Sequence, residues 1–268
     1  MSCTVKAAGR SLPVEPGTRL SVALNQAELF VETPCGARGY CRKCAVKVLG
    51  EAPAPTPSDL EQLSAEELQL GYRLSCQLVV TGDLSVQIVP AAMADTKKAA
   101  MGRLTGPVAI DPWAPMLPGG LRSVGLALDV GTTSMVGALL DLRTGEELAA
   151  ESRPNPQGIH GADLMSRLAY ATSGPGHAEE LQTLVAGAAR QMLERLCSKA
   201  GVRPAQVTIA TLAGNTAMHH LFLGLDVSNL ALAPYTPAVT EGYLGRVPGL
   251  PPIYALPNIA GFVGADAV

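Results

Sequence analysis

Three cysteines crowd one ten-residue stretch, CGARGYCRKC from Cys35 to Cys44, and a fourth stands at Cys76, giving the spacing C-x5-C-x2-C-x31-C. Few patterns restrict a fold more, because a tight loop and a distant segment must deliver all four thiols to one place. Zinc sites usually draw their ligands as two close pairs, and the second close pair is missing here. A loop with three thiolates and a fourth ligand from elsewhere suits a [2Fe-2S] cluster, in which each iron takes two cysteines. Zinc and scattered core thiols are the alternatives this spacing leaves open. Gly36 and Gly39 let such a loop wrap tightly and turn backbone N–H groups toward sulfide. Cys3, near the start, and Cys197, on a helical stretch, need no chemical role.

The totals bound the partners. The chain has 268 residues, 47% of them hydrophobic and 16% charged, enough for a substantial core and for about two domains. A net charge of -3 with no basic run offers no polyanion-binding face, so nucleic acid drops out as a partner. The start, MSCTVKAAGR, has no apolar signal region, and no stretch gives about eighteen uninterrupted apolar residues. No membrane span is therefore encoded, and a cytoplasmic location is expected. In that reducing compartment grouped cysteines speak for metal rather than disulfides.

Residues 1–90 read as a compact β-rich unit, with CTVKAA, KCAVKVLG, LSCQLVV and LSVQIVP as short strands between Gly and Pro punctuation. A short helix is expected over Arg19 to Glu28, and two capping boxes follow Pro57, Ser58 with Glu61 and Ser64 with Glu67. Residues 91–122, rich in Pro, Gly and small side chains and including Trp113, read as a linker. Residues 123–268 form a second unit. SVGLALDV, SMVGALLDL and ELAAES give a three-strand meander, and Leu181, Leu184, Val185, Ala188, Met192 and Leu196 mark one face of a helix between His177 and Ala200. QVTIATLAG is a buried strand, and NTAMHHLFLG a helix starting at Asn215. On that helix His219 and His220 are expected to point apart, one partly buried and one exposed. The fold class is thus α+β followed by α/β, a small sheet crossed by a helix and then a ribonuclease-H-like lobe.

The four cysteines together with GYRLSCQ around Cys76 resemble the β-grasp ferredoxins of the adrenodoxin-like spacing class, over about the first 90 residues. Such ferredoxins often place small residues or glycine after the first and second cysteines, as in CGG…CGKC, whereas this chain has Ala37 and Arg42. Arg38, Arg42, Lys43 and Lys47 also set four positive charges beside the expected cluster. They read either as a solvated rim or as a docking edge for an acidic partner that raises the reduction potential.

In LALDVGTTSMVGALLDL, Asp129 ends a strand, Gly131 allows a tight turn, and Thr132, Thr133 and Ser134 line it with hydroxyl and N–H groups. Such a turn can hold phosphate oxygens while the carboxylate organises the waters of Mg²⁺. The chain has no GK[ST] and no helix-opening G-x-G-x-x-G to compete. Asn215 and Thr216 open a helix whose N-terminus can meet an anion, although simple capping by Asn215 explains them as well. The strand, turn and two further strands resemble the first phosphate loop of the actin-like ATPase superfamily.

A ferredoxin module ahead of an actin-like ATPase module resembles the ATP-dependent reductive activators of corrinoid proteins. NPQGIHGADLMSRLAYA, AGNTAMHHLFLGLD, APYTP and PNIAGFVGADAV carry the resemblance through the second unit. It implies a [2Fe-2S] cluster on Cys35, Cys41, Cys44 and Cys76, Mg-ATP at Asp129, Gly131, Thr132, Thr133, Ser134, Asn215 and Thr216, a corrinoid methyl-carrier protein as partner, and an upstream electron donor. One electron would return Co(II) to Co(I), and nucleotide would drive the uphill transfer. A gap on the order of 0.2 V corresponds to about 5 kcal/mol for one electron. A plain electron-transfer module with a docking domain that binds no nucleotide is the rival reading. Residues 123–268 suffice for one lobe of such an ATPase, so a truncated chain is expected, with Asp266 left between a nucleotide contact and a loop cap. The sequence leaves the oligomeric state open, a homodimer included.

Overall fold

In the computed structural model, residues 2–92, 123–261 and 263–265 are described. Trp113, Asp266 and the expected linker from residue 93 onward lie outside them. By packing, the chain divides into two units, Met1–Asp95 with Pro156–Arg167, and Thr96–Asn155 with Leu168–Val268. Among the described residues no helix is long and apolar enough to cross a membrane.

The first unit is built on β1 (Cys3–Ala7), β2 (Arg10–Val14), α1 (Leu20–Gln26), β3 (Ala45–Leu49), α2 (Pro57–Gln62), α3 (Ala65–Gln69), β4 (Tyr72–Leu74) and β5 (Leu84–Ile88). Its sheet has the order β2-β1-β5-β3-β4, with β1 and β5 parallel at the centre and the other pairs antiparallel. This is the β-grasp arrangement. Val5, Val46, Val48 and Val86 alternate inward and share one core with Leu20 and Leu24 of α1, each such side chain contributing about 1.5–3 kcal/mol. Strand β2 is absent from the sequence pattern, because Pro13 interrupts it; it lies at the sheet edge, where a missing N–H is tolerated.

Two local expectations are corrected. The first capping box uses Thr56 and Asp59 rather than Ser58 and Glu61, because Pro57 occupies the first helical position. The second, Ser64 with Glu67, stands as expected. LSCQLVV is not a continuous strand: β4 stops at Leu74, and the N–H groups of Gln77 and Leu78 fold back onto the Leu74 carbonyl at 2.9 and 3.0 Å. Asp59, wholly buried, stops β4 by accepting the Leu74 N–H at 2.7 Å while also holding the Thr56 N–H and hydroxyl. Cys76 is thereby presented from a turn.

The segment Pro156–Arg167 comprises a 3-10 turn, Pro156–His160, and the opening of α4 (Leu164–Thr172). The second unit contains β6 (Val124–Val130), β7 (Ser134–Asp141), β8 (Glu147–Pro154), α5 (His177–Ala200), β9 (Val207–Gly214), α6 (Thr216–Leu223), β10 (Tyr243–Gly245) and β11 (Ile253–Ala255). The sheet order is β10-β11-β9-β6-β7-β8, an antiparallel meander extended by the parallel strands β9 and β11. This is the ribonuclease-H-like lobe expected. Leu181, Val185, Ala188, Met192 and Leu196 of α5 are all buried. The helix rides so close to β7 that a Cβ on Gly137 would run into the Met192 sulfur.

Candidate functional site

Cys44 begins the approach to β3, and Cys76 reaches it from the turn after β4, whose Ser75 N–H donates to the Cys44 carbonyl at 3.1 Å. The two sulfurs lie 3.3 Å apart. That hydrogen bond, then burial, pushes the Cys44 thiol up; the same bond pulls Cys76 down to about 7 against the effect of burial, helped by the Gln77 side chain and the charge of Arg19. Cys35 and Cys41 form a second hydrogen-bonded pair. Burial works against a charged Cys35, yet the bond from Cys41 and the backbone N–H groups of Tyr40, Gly39 and Arg38 prevail and hold it below the usual thiol range. Burial raises Cys41, with the Lys43 N–H opposing.

Thiolate-stabilising donors thus surround two pairs of sulfurs. Among the described residues no group of three or more His, Cys, Asp or Glu side chains is gathered closely enough for a single metal ion. Two thiols in each of two pairs match the two cysteines per iron that a [2Fe-2S] group takes. Cys35, Cys44 and Cys76 are buried, and Cys41 alone of the four is partly exposed.

The loop geometry shows where both departures from CGG…CGKC carry strain. Ala37 and Arg42 have φ of 59° and 60°, the left-handed conformation glycine adopts freely. A Cβ on Gly39 would stand 2.7 Å from Ser58 Oγ and 3.1 Å from Gln77 Cδ, so the loop closes against both. Gln77 closes the motif GYRLSCQ, but nothing in the sequence assigns its side chain a role. Its Nε2 donates to the Ala37 carbonyl at 2.5 Å and lies 3.5 Å from the Cys76 sulfur, bridging loop and turn. On the rim Arg38 donates to the Cys35 carbonyl and sits 5.9 Å over the exposed Tyr40 ring, while Arg42 pairs with Glu67 at 2.6 Å. Lys47 sits 6.0 Å over the Tyr72 ring, and Lys43 is exposed.

In the second unit, β6 and β9 run parallel with Asp129 opposite Ala213 and Val130 opposite Gly214. Their C-terminal ends place Gly131, Thr132, Thr133 and Ser134 beside Asn215 and Thr216, the position where open α/β sheets take ligands. Asn215 Nδ2 donates to Thr132 Oγ1 at 3.0 Å, and its Oδ1 caps α6 by accepting the Met218 N–H at 3.0 Å. Both sequence readings of Asn215 are therefore compatible. Thr216 is fully buried and gives its hydroxyl to the Ala260 carbonyl. Asp129 is exposed, and β6 runs one residue further, to Val130. Gly131 lacks the positive φ expected of a glycine turn. It is needed because a Cβ would meet the Ser134 carbonyl oxygen at 2.9 Å. Asn155, which opens the segment NPQGIHGADLMSRLAYA, clamps the turn, its side chain donating to the Gly131 carbonyl and its N–H to the Thr133 carbonyl, both at 2.8 Å.

Neither histidine of α6 is exposed, against expectation. His220 donates from Nδ1 to the Thr216 carbonyl at 2.7 Å and accepts at Nε2 from the N–H groups of Ala238 and Val239. His219 packs against Asn258.

Comparison with known proteins assigns both halves. Residues 3–81 match the 2Fe-2S iron-sulfur cluster binding domain, and residues 124–268, more than half of the chain, match the RACo middle region. The chain belongs to the RACo middle region family. Corrinoid activation enzyme RamQ of Eubacterium limosum is 33% identical over 149 residues, 53% of this RACo-family chain and 25% of RamQ. A component of the Na(+)-translocating NADH-quinone reductase of Chlamydia pneumoniae is 37% identical over 75 residues, 28% of this chain and 17% of that protein. A solved reductive activator for corrinoid, iron-sulfur protein superposes with a TM-score of 0.52 at 24% identity, covering 98% of this chain and 56% of that one. That likeness shows the shared fold. The RACo-family chain spans about a quarter of RamQ and just over half of the reductive activator.

Proposed function

We propose that the complete protein is an ATP-dependent reductive activator of a corrinoid methyl-carrier protein. The observation that carries this reading is the union, in one RACo-family chain, of two thiol pairs on a ferredoxin fold with a hydroxyl-lined turn at the C-terminal ends of parallel strands. Cys35 with Cys41, and Cys44 with Cys76, would each hold one iron. When bound there, a [2Fe-2S] group supplies one-electron chemistry at low potential. The N–H groups of residues 38–40 and Gln77 favour negative charge on the sulfurs, and partly exposed Cys41 marks the edge at which a partner approaches. A corrinoid partner trapped as Co(II) takes up one electron at this edge and returns to Co(I), and an upstream donor replaces that electron.

On the second unit, Thr132, Thr133 and Ser134 receive phosphate oxygens of ATP, Asp129 orders the waters of Mg²⁺, and Asn215 fixes the Thr132 hydroxyl. Calorimetric titration of the anaerobically purified, iron-loaded chain with Mg-ADP and Mg-ATP tests this. Binding should be present in wild type and weaken at least tenfold in Asp129→Ala and Thr132→Ala. No binding by any form, or equal binding by all three, removes the nucleotide role of these residues and leaves the electron-transfer module as the reading of the chain.

A further inference from the structure

The segment Pro156–Arg167 packs with the first unit although its chain neighbours on both sides do not, and its 3-10 turn meets both α1 and the loop that carries three of the cysteines. Thr33 Oγ1 donates to the Gly158 carbonyl at 2.9 Å, while the Thr33 carbonyl accepts the Gly36 N–H, also at 2.9 Å. One buried residue therefore ties the segment to the opening turn of the loop. A Cβ on Gly36 would stand 2.9 Å from the His160 carbonyl oxygen and 3.5 Å from the Gly161 Cα, so backbone lies directly on backbone. The glycine after the first cysteine thus leaves room for residues 160–161, besides allowing the loop to wrap.

The segment keeps its shape through its own polar contacts. Arg167, 1% exposed, donates from Nε to the Gly161 carbonyl at 2.9 Å and reaches Gln157 Oε1 at 3.4 Å. Asp163 accepts the Ser166 N–H at 2.8 Å. Burial draws the Arg167 guanidinium down to about 10, with the charge of Asp163 opposing. A buried cation is tolerated only where its donors are used, and here they hold the segment's own carbonyls. One peptide bond before the segment stands Asn155, the clamp of the Gly131–Thr133 turn.

We propose that residues 156–167 are a strap through which the phosphate turn, held by Asn155, sets the geometry of the loop carrying Cys35 and Cys41. The proposal rests on the reading of those cysteines as cluster ligands and of the turn as a phosphate loop. Thr33, Gly36, Asn155 and Arg167 are positioning residues within it. Movement of the turn shifts Asn155, the strap follows through the chain, and the backbone at 160–161 presses on or releases Gly36.

The test uses the full chain, without and with iron, and measures amide hydrogen exchange over residues 33–41 together with the paramagnetic resonance spectrum of the reduced, iron-loaded form. Gly36→Ala is uninformative, because φ of +65° strains any side chain there. Thr33→Val should raise exchange over 33–41 about three- to tenfold, the worth of one hydrogen bond, and shift the spectrum; Thr33→Ser should restore both. Asn155→Leu should produce the same changes from a distance, and the double variant with Thr33→Val should add nothing further. Exchange and spectrum unchanged in Thr33→Val would overturn the strap, as would an Asn155→Leu effect that adds fully to that of Thr33→Val. A wild-type chain that takes up no iron would defeat the cluster reading instead, while exchange in the iron-free chain still decides the strap.

Discussion

Ala37 and Arg42 each hold a left-handed backbone next to a cysteine, a conformation that costs a residue with a Cβ about 1–2 kcal/mol. Glycine would relieve that strain and lose part of the gain through its freer unfolded chain. Ala37→Gly is therefore expected to stabilise the iron-free chain by roughly 0.5–1 kcal/mol, read as a higher urea midpoint with an unchanged slope. A lower midpoint would mean that the Ala37 side chain, which is buried, contributes more by packing than its backbone costs. The sequence comparison with CGG…CGKC marks both positions as unusual. It does not reveal why, since the sign of φ is set by a loop closing on Ser58 and Gln77 from elsewhere in the chain.

Helix α6 carries its pH response inside. Burial first, then the neighbouring His220, draws His219 down to about 4, and burial lowers His220 as well, opposed by its bond to the Thr216 carbonyl and by Asp226. A histidine whose folded pKa lies below its unfolded value near 6.5 stays neutral in the fold, so stability falls as pH drops from about 6.5 toward 4. For His219 the loss between about pH 7.5 and 5.5 is about 1 kcal/mol. His219→Gln should flatten the fall in urea midpoint over that interval relative to wild type, and parallel curves would show that His219 does not titrate this way. Long periodic elements such as α5 are legible in the sequence down to their ends, because twenty-four residues repeat one apolar face. Strands β10 and β11, three residues each, and α4 carry too little pattern to be read, and the burial of both histidines is hidden because Ala238, Val239 and Asn258 cover them from distant sequence. The grouping of the four cysteines and the position of the turn at 131–134 are legible in the sequence as places in the fold. Gln77 and the clamping role of Asn155 are not, since each acts through a fold-dependent neighbour.

On the scale of the whole molecule, a net charge of -3 coexists with a basic rim at the Cys41 edge. Charge reversal at Arg38 or Arg42 changes the local charge by two units and should lower the reduction potential of the iron-loaded chain by roughly tens of millivolts. It should also slow electron exchange with an acidic partner at low salt, an effect that fades as the screening length shortens to about 3 Å near 1 M salt. Redox titration and stopped-flow mixing at two ionic strengths check this, and an unchanged potential in both variants would reduce the rim to a solvated edge. The composition of the first unit also orders events during synthesis. Residues 1–95 leave the ribosome some sixty residues ahead of the strap, a delay of roughly 3 to 12 s at about 5–20 residues per second. Throughout that interval the nascent loop has its cysteines but not the backbone that later rests on Gly36, so on the proposed reading of those cysteines iron can reach them before that contact forms.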